Sequence, residues 1–141
     1  MIAPDEQTIQ RLCYATDQAT RLAACGVAWD AVVIAPLRRG LAALDVLGLP
    51  THGGYPVLAD YTRRELIVQV SVGTGAACED VPGVRVLTRG AWLLVPTGPH
   101  GSYCASWLST PDPFAARYVD ALALREAVLA DADRAEPTCT H

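Results

Sequence analysis

The His and Cys side chains that could serve as soft metal ligands are few and scattered. They are His52, His100, Cys104, Cys139 and His141. Structural zinc needs four ligands, usually in two closely spaced pairs, and only His100 and Cys104 have such a spacing, within a loop rich in Gly and Ser. The sequence therefore predicts no metal site and no cofactor.

The same loop holds the residues that could form a nucleophile and its base. Ser102 and Cys104 follow His100, but a working pair also needs a group that orients the base and an oxyanion hole. The spacing indicates neither. A small enzyme or ligand-binding protein that uses the loop His100–Trp107 together with Asp30 is therefore kept only as an alternative.

A phosphate could be bound by the tract Gly73-Thr74-Gly75, which follows a strand-like run. Backbone amides in such a turn can surround an anion. However, Cys78 stands where G-x-G-x-x-G has its third glycine, and no acidic residue follows about 20 positions later at the end of a strand. Both a plain tight turn and a phosphate site remain open.

Asp30 is the one carboxylate within an apolar run, and burying an unpaired Asp is costly. It either caps the end of its strand or faces a pocket. The other close acids do not converge on a metal: Glu79 and Asp80 are adjacent, and Asp131 and Asp133 lie about 200° apart on a helix. Paired carboxylates for Mg²⁺ are therefore not predicted.

The composition excludes some chemistry outright. The chain has 141 residues and 11 basic residues, all of them Arg, with no Lys and no Asn. Schiff-base chemistry, pyridoxal phosphate attachment and a Walker A loop all need lysine. The bias towards Ala, Gly, Pro and Arg is typical of a high-GC bacterial genome.

The net charge of −4 does not favour nucleic acid. Residues 1–30 carry −2, residues 31–110 carry +1 and residues 111–141 carry −3. A duplex-binding surface is usually rich in Lys and Arg. The doublets Arg38-Arg39 and Arg63-Arg64 are more typical of solvated loops or helix ends.

The cysteines and apolar runs indicate a cellular compartment. The five cysteines are widely spaced without C-x-x-C, and no secretory signal is expected at the N-terminus. No apolar run approaches about 20 residues, so no membrane span is predicted. We expect a cytoplasmic protein with reduced thiols. Only 18% of residues are charged, which favours a partly apolar surface and a homodimer.

Hydrophobic periodicity and turn residues predict an α+β fold. Residues 1–135 are expected to form one domain with an N-terminal helix, a strand–helix unit, an antiparallel β-meander and a C-terminal helix, and residues 136–141 a disordered tail. In the front half we predict a helix over 5–25 with a stripe of Ile9, Leu12, Cys13 and Leu22, a strand over 27–34, and a helix from Pro36 to Gly48. In the middle we predict strands over 56–60, 65–72 and 84–95, the last broken at Arg89-Gly90 as in a hairpin, with a turn and short helix over 73–78. A short strand around Trp107-Leu108 and a helix from the cap Asp112 to about Ala132, with a stripe of Phe114, Tyr118, Leu122 and Leu129, complete the prediction.

The second half of the chain resembles the later part of the domain that defines the bifunctional DNA primase/polymerase (Prim-Pol) family. The resemblance lies in residues 84–96 (Val-Arg-Val-Leu-Thr-Arg-Gly-Ala-Trp-Leu-Leu-Val-Pro), in the loop that follows and in Ser106-Trp107-Leu108. The run 63–68 resembles the strand that carries a nucleotide-binding His in that family. Short actinobacterial Prim-Pol-like proteins are similar also at Trp29-Asp30 and at the Gly-Thr-Gly turn. The resemblance covers residues 27–108 and is strongest over 83–108.

The chain departs from this family where the family's chemistry lies. The first motif pairs two acids one residue apart, whereas the corresponding run 56–60 offers only Asp60. Glu65 stands in the place of the His, and Arg85 in the place of the third acid. A guanidinium at a carboxylate position removes a metal ligand.

The resemblance therefore implies a non-catalytic Prim-Pol-like binding or accessory module for a nucleotide, nucleic acid or protein. Its cleft would lie between the meander and the first strand. The candidate ligand-binding residues are Asp30, Gly73, Thr74, Gly75, Arg85, Arg89, His100 and Trp107. The second alternative is a structural protein whose apolar helices form a dimer or complex.

Overall fold

The computed structural model describes residues 20–49, 54–98, 101–112, 114 and 117–139, with the backbone alone for 131–139. Two α-helices, a short 3-10 helix and eight strands lie in these residues. The strands are β1 (Thr20–Ala24), β2 (Trp29–Ile34), β3 (Val57–Asp60), β4 (Glu65–Ser71), β5 (Val84–Leu87), β6 (Trp92–Pro96), β7 (Gly101–Ser102) and β8 (Ala105–Ser109). The helices are α1 (Leu37–Leu47), the 3-10 helix Gly75–Cys78 and α2 (Ala121–Cys139). The predicted α+β class is confirmed.

The strands form two antiparallel sheets. Six of them lie in the order β5-β2-β4-β3-β8-β7, so β2 separates β5 from β4. β1 and β6 pair only with each other among the described residues, and we call this two-stranded sheet the ribbon. At the centre of the large sheet, Val32 lies opposite both Val68 and Val86.

The large sheet buries both of its faces. Because side chains alternate along a strand, Val32 and Ile34 of β2 pack on one face against the helices, in a core that includes Leu44 and Leu124. Val33, on the other face, packs in a second core with residues of the ribbon. This second core consists of Cys25, Ala31, Val33, Leu58, Ile67, Leu93 and Val95. The helices and the ribbon thus lie on opposite faces of the sheet.

Helix α1 follows its local signals. Pro36 precedes it as the N-cap, and Gly48 ends it with a left-handed φ of 68°. Gly40 faces the sheet, where an added Cβ would lie 2.5 Å from the Cβ of Leu66. The absence of a side chain at Gly40 therefore allows α1 to pack closely on β4.

The predicted first helix is wrong over residues 20–24, which form β1; residues 5–19 lie outside the described residues. Arg21, Leu22 and Ala23 pair with Val95, Leu94 and Leu93 respectively. Leu22 was predicted on the buried stripe of the helix, but it is 63% exposed. Helix propensity is weak, and pairing with a distant strand overrides it here.

The predicted hairpin around Arg89-Gly90 is also wrong. β5 pairs with β2 in the large sheet, whereas β6 pairs with β1 in the ribbon. The turn itself is present, since the amide of Ala91 donates to the carbonyl of Thr88 at 3.0 Å. It redirects the chain from one sheet to the other.

The C-terminal helix begins later than predicted. Asp112 accepts from the amide of Phe114 at 2.9 Å in a turn, and Phe114 is 97% exposed. Asp120 is the residue that caps α2, because its carboxylate accepts from the amide of Ala123 at 3.0 Å. The fully buried face is therefore Ala121, Leu124, Ala127 and Val128. Of the predicted stripe, Leu129 packs partly buried against this core, whereas Phe114 and Leu122 are exposed. The helical backbone continues to Cys139, through residues 136–139 of the predicted tail.

Neither helix in the described part of the chain combines the length and the apolar character that crossing a membrane requires.

Candidate functional site

Asp30, the buried carboxylate of β2, is held by the Gly73–Gly75 turn. Its Oδ2 accepts from the amide of Gly73 at 2.9 Å and from the amide of Gly75 at 3.1 Å. The Asp30 residue is only 2% exposed. The two amides that the sequence suggested as a phosphate site therefore bind the carboxylate of Asp30.

Glycine is required at the end of this turn for a steric reason. A Cβ on Gly75 would lie 2.8 Å from a methyl carbon of Val86 and 3.0 Å from Oδ2 of Asp30. Gly73 has open space around it but a φ of +85°, which favours glycine. Thr74, between them, is exposed and its hydroxyl donates to the carbonyl of Ser71 at 2.6 Å. The turn closes over the carboxylate on the helix side of the large sheet.

A cleft of about 410 Å³ lies on the opposite face, between the large sheet and the ribbon. We call it the ribbon cleft. Val33, Ile67 and Leu87 of the sheet and Leu93 of the ribbon contribute apolar surface. Its polar residues are Asp60, Thr62, Arg63, Glu65, Arg85 and Cys104. The volume is in the usual range of ligand pockets, about 300–1,000 Å³.

An ion pair joins two strands within this cleft. Nη2 of Arg85 on β5 lies 2.7 Å from Oε2 of Glu65 on β4. The Glu65 side chain is 12% exposed and the Arg85 side chain 54% exposed. Glu65 and Arg85 thus bind each other across β2, which lies between their two strands.

The other carboxylate of the cleft is engaged by its own turn. Oδ1 of Asp60 accepts from the amides of Thr62 and Arg63, each at 3.0 Å, and from the Thr62 hydroxyl at 2.6 Å. These bonds fix the connection between β3 and β4. The ribbon cleft thus contains two acids and two arginines, with a formal charge of zero.

The structure does not bring all the predicted ligand-binding residues together. Arg85 lines the ribbon cleft, whereas Asp30 and the Gly73–Gly75 turn lie across the sheet from it. Arg89 is exposed in the β5–β6 turn. Its backbone lies close to Gly26, where an added Cβ would be 2.2 Å from the Arg89 amide nitrogen. Trp107 packs against the ribbon-side core. His100 lies outside the described residues.

Sequence reasoning missed the ribbon's contribution to this site. Leu22 and Trp92 line the cleft and are 63% and 62% exposed. The alternation in β6 predicts that Leu93 and Val95 share one face and Trp92 and Leu94 the other, but it does not indicate which of them border a cleft. No local signal, however, identified the strand that pairs with β6.

Within the described residues, no group of three or more His, Cys, Asp or Glu is placed to hold a metal ion. The described cysteines Cys25, Cys78 and Cys104 are free thiols. Burial is the main cause that raises the pKa of Cys25, and the nearby Asp30 charge adds to it. Its thiol is therefore a weak nucleophile at neutral pH.

Comparison with known proteins adds no relative: no protein-family model, no curated protein and no solved structure matches this chain.

Proposed function

We propose that this chain is a non-catalytic, Prim-Pol-like binding module whose ribbon cleft receives a segment of a protein partner. The ion pair between Glu65 and Arg85 is the observation that carries the proposal. A cation in the place of a family carboxylate cannot ligate Mg²⁺, and this cation neutralises its neighbour instead. The cleft is thereby suited to recognition rather than to metal-dependent transfer of a nucleotide.

The charge of the cleft favours a polypeptide over a nucleotide or nucleic acid. Phosphate groups are bound where cations are in excess, but Arg63 and Arg85 are balanced by Asp60 and Glu65. A nucleotide or nucleic acid ligand is therefore the second candidate, supported by the resemblance alone.

The exposed apolar surface beside the cleft supports the same occupant. Leu22 and Trp92 are large side chains that are mostly solvent-exposed on the ribbon. Trp and Arg are enriched among the residues that dominate the free energy of protein association. We propose that Trp92 and Arg85 are the main contacts to the partner.

A second copy of the chain is one such partner, and we propose a cytoplasmic homodimer as the resting form. The three described cysteines are unpaired, as reduced thiols in the cytoplasm would be. Dimerisation through the ribbon would bury Leu22 and Trp92. Size-exclusion chromatography with light scattering measures this directly, and a Trp92→Ala variant should shift the mass towards the monomer.

Peptides selected from a random display library against the wild-type protein provide a probe for the cleft. Their affinity is then measured by fluorescence anisotropy for wild type, Trp92→Ala and Arg85→Gln. We expect each substitution to weaken binding about tenfold, which corresponds to ~1.4 kcal/mol. Arg89→Gln is the matched control, because this arginine is exposed outside the cleft; its affinity should stay within about twofold of wild type.

Two results would overturn the proposal. One is a set of selected peptides that bind both cleft variants as tightly as wild type. The other is extension of a primed DNA template above background with Mg²⁺ or Mn²⁺, which would demonstrate catalysis. A labelled single-stranded oligonucleotide that binds wild type but not Arg85→Gln would favour the nucleic acid candidate instead.

A further inference from the structure

A second cavity of about 410 Å³ lies beside the N-terminal end of α1 and does not belong to the ribbon cleft. We call it the tyrosine pocket. Leu37 and Leu41 of α1 line it together with Tyr61 from the β3–β4 turn and Tyr103 from the β7–β8 turn. Arg38 and Arg64 are the charged residues of the lining. None of these residues lines the ribbon cleft.

The body of the pocket suits an aromatic group. The rings of Tyr61 and Tyr103 have centroids 5.4 Å apart and an interplanar angle of 35°. Leu37 and Leu41 are one helical turn apart and therefore lie on the same side of α1. Aromatic rings prefer offset or tilted neighbours at separations of about 4.5–7 Å, so a planar ligand has suitable surfaces to contact.

The charge of the pocket suits an anion. Arg38 and Arg64 are both exposed, and neither guanidinium forms an ion pair with a described residue. No Asp or Glu is among the residues that line the cavity. In contrast to the neutral ribbon cleft, this pocket therefore has two positive charges that no acid among the described lining residues balances. Arginine binds carboxylates and phosphates through paired N–H groups.

The Tyr61 side chain lines the pocket through its ring, whereas its hydroxyl oxygen is buried within the protein. The hydroxyl of Tyr61 is buried and makes no hydrogen bond among the described residues. Burial, with a smaller effect of Tyr103, raises the pKa of Tyr61 to about 12, so the hydroxyl remains a protonated donor at neutral pH. Because the hydroxyl oxygen has almost no accessible surface, a ligand in the pocket would contact the Tyr61 ring rather than this hydroxyl.

The backbone at Arg64 is also unusual. Arg64 is the only described non-glycine residue with a positive φ, at 55°. Its carbonyl accepts from the amide of Leu37 at 2.6 Å and so ties the β3–β4 turn to the start of α1. Strained residues of this kind cluster at ligand-binding sites. The contact holds Arg64 at the edge of the pocket.

From these features we infer that the tyrosine pocket binds a small aromatic anion, with the ring against Tyr61, Tyr103 and the leucines and the anionic group at Arg38 and Arg64. The anionic group is a carboxylate or a phosphate, since both have acceptor oxygens that match a guanidinium. This site does not depend on what occupies the ribbon cleft.

The experiment titrates the full-length protein with three probes that share one ring system: 2-naphthoate, 2-naphthyl phosphate and the uncharged 2-naphthamide. Binding is followed by two-dimensional NMR of the ¹⁵N-labelled protein. We expect saturable shifts at the amides of Tyr61, Arg64 and Tyr103 with naphthoate or the phosphate. The anion should bind at least about tenfold more tightly than the amide, and the relative affinity of the two anions identifies the acid group.

The variants assign the effect to individual groups. Arg38→Gln combined with Arg64→Asn removes both charges, and Asn tolerates the positive φ at position 64. This double variant should lose at least about tenfold in affinity for the anion but little for the amide. Tyr61→Phe keeps the ring and removes only the buried hydroxyl, so its affinity for the anion should stay within about twofold of wild type. Arg89→Gln should bind as wild type.

The inference is overturned if no anionic probe gives saturable shifts in the pocket up to about 10 mM, a limit near −3 kcal/mol of binding free energy. It is also overturned if the amide binds as tightly as the anions, or if the double arginine variant retains wild-type affinity. Far-ultraviolet circular dichroism of each variant must match wild type. A variant that fails to fold is replaced by the single substitution Arg38→Gln, at an exposed position of α1, for which the same outcomes apply.

Discussion

Replacing Asp30 with alanine tests whether this carboxylate is primarily the anchor of the Gly73–Gly75 turn. In the native chain its Oδ2 accepts two backbone N–H groups at 2.9 and 3.1 Å, and the residue is 2% exposed. Alanine removes the acceptor while leaving the two amides in place. Asparagine of nearly the same shape retains an acceptor oxygen but carries no charge, so the pair of variants separates geometry from charge.

The magnitude follows from the surroundings of the two amides. A hydrogen bond to a charged group contributes about 1.5–3 kcal/mol. Gly75 is buried, so the variant loses the whole free energy of the hydrogen bond from its amide. Gly73 is exposed, so its amide can bond to water instead and only part of that free energy is lost. We therefore expect Asp30→Ala to lower the free energy of unfolding by about 3–4 kcal/mol, and Asp30→Asn by about 1–2 kcal/mol.

Urea unfolding followed by tryptophan fluorescence measures these differences at a fixed m-value. In thermal unfolding, 1 kcal/mol corresponds to about 3 °C for a chain of this size. Glu79→Ala is the control, since Glu79 is an exposed carboxylate beside the same 3-10 helix and should change stability by less than about 0.5 kcal/mol. An Asp30→Ala variant within about 1 kcal/mol of wild type would refute the reasoning.

Two further predictions concern the same region of the fold. Gly75→Ala should cost about 1–3 kcal/mol in urea unfolding because its Cβ would lie 2.8 Å from Val86; a change below about 0.5 kcal/mol would contradict the close packing. The pKa of Asp80 is lowered, mainly because its carboxylate accepts a hydrogen bond from Arg125. This contact therefore stabilises the fold at neutral pH, and the stabilisation is lost as the pH falls through the lowered pKa of Asp80 in the folded state. The stability difference between wild type and Asp80→Asn should therefore shrink as the pH is lowered, and a difference that stays constant to the lowest accessible pH would exclude this account.

Elements with complete local signals could be predicted from the sequence. The bounds of α1 were set by Pro36 and Gly48, and both residues act as predicted. The apolar runs at 27–34 and 65–72 contain β2 and β4. In each case the pattern within the segment already specifies the element, because the periodicity and the terminating residue agree.

Elements that depend on a distant partner could not. The residues of β1 have good helix formers, and only pairing with β6 makes them a strand. The start of α2 failed for another reason, because Asp112 and Asp120 both look like caps. Which aspartate begins the helix is decided by which apolar face reaches the core, and that requires the tertiary structure.

The candidate site shows the same division. The sequence indicated that Asp30, Arg85 and the Gly-Thr-Gly turn could bind a ligand. It did not indicate that the two glycine amides donate to the Asp30 carboxylate, or that Arg85 pairs with Glu65. These contacts join residues 20–45 positions apart. A sequence indicates which groups could bind a ligand, and only the fold determines which of them bind each other.

This distinction decides where a ligand would gain most in this molecule. A ligand at the Asp30 turn would have to replace two good internal hydrogen bonds, and its gain would be offset by their loss. At the tyrosine pocket, Arg38 and Arg64 are exposed and no described acid lines the cavity, so an anion would displace water there. A ligand gains more binding free energy where it displaces only water than where it must break a hydrogen bond within the protein. The Asp30 carboxylate and the two glycine amides therefore stabilise the fold, and the tyrosine pocket is the place where we propose that a ligand binds.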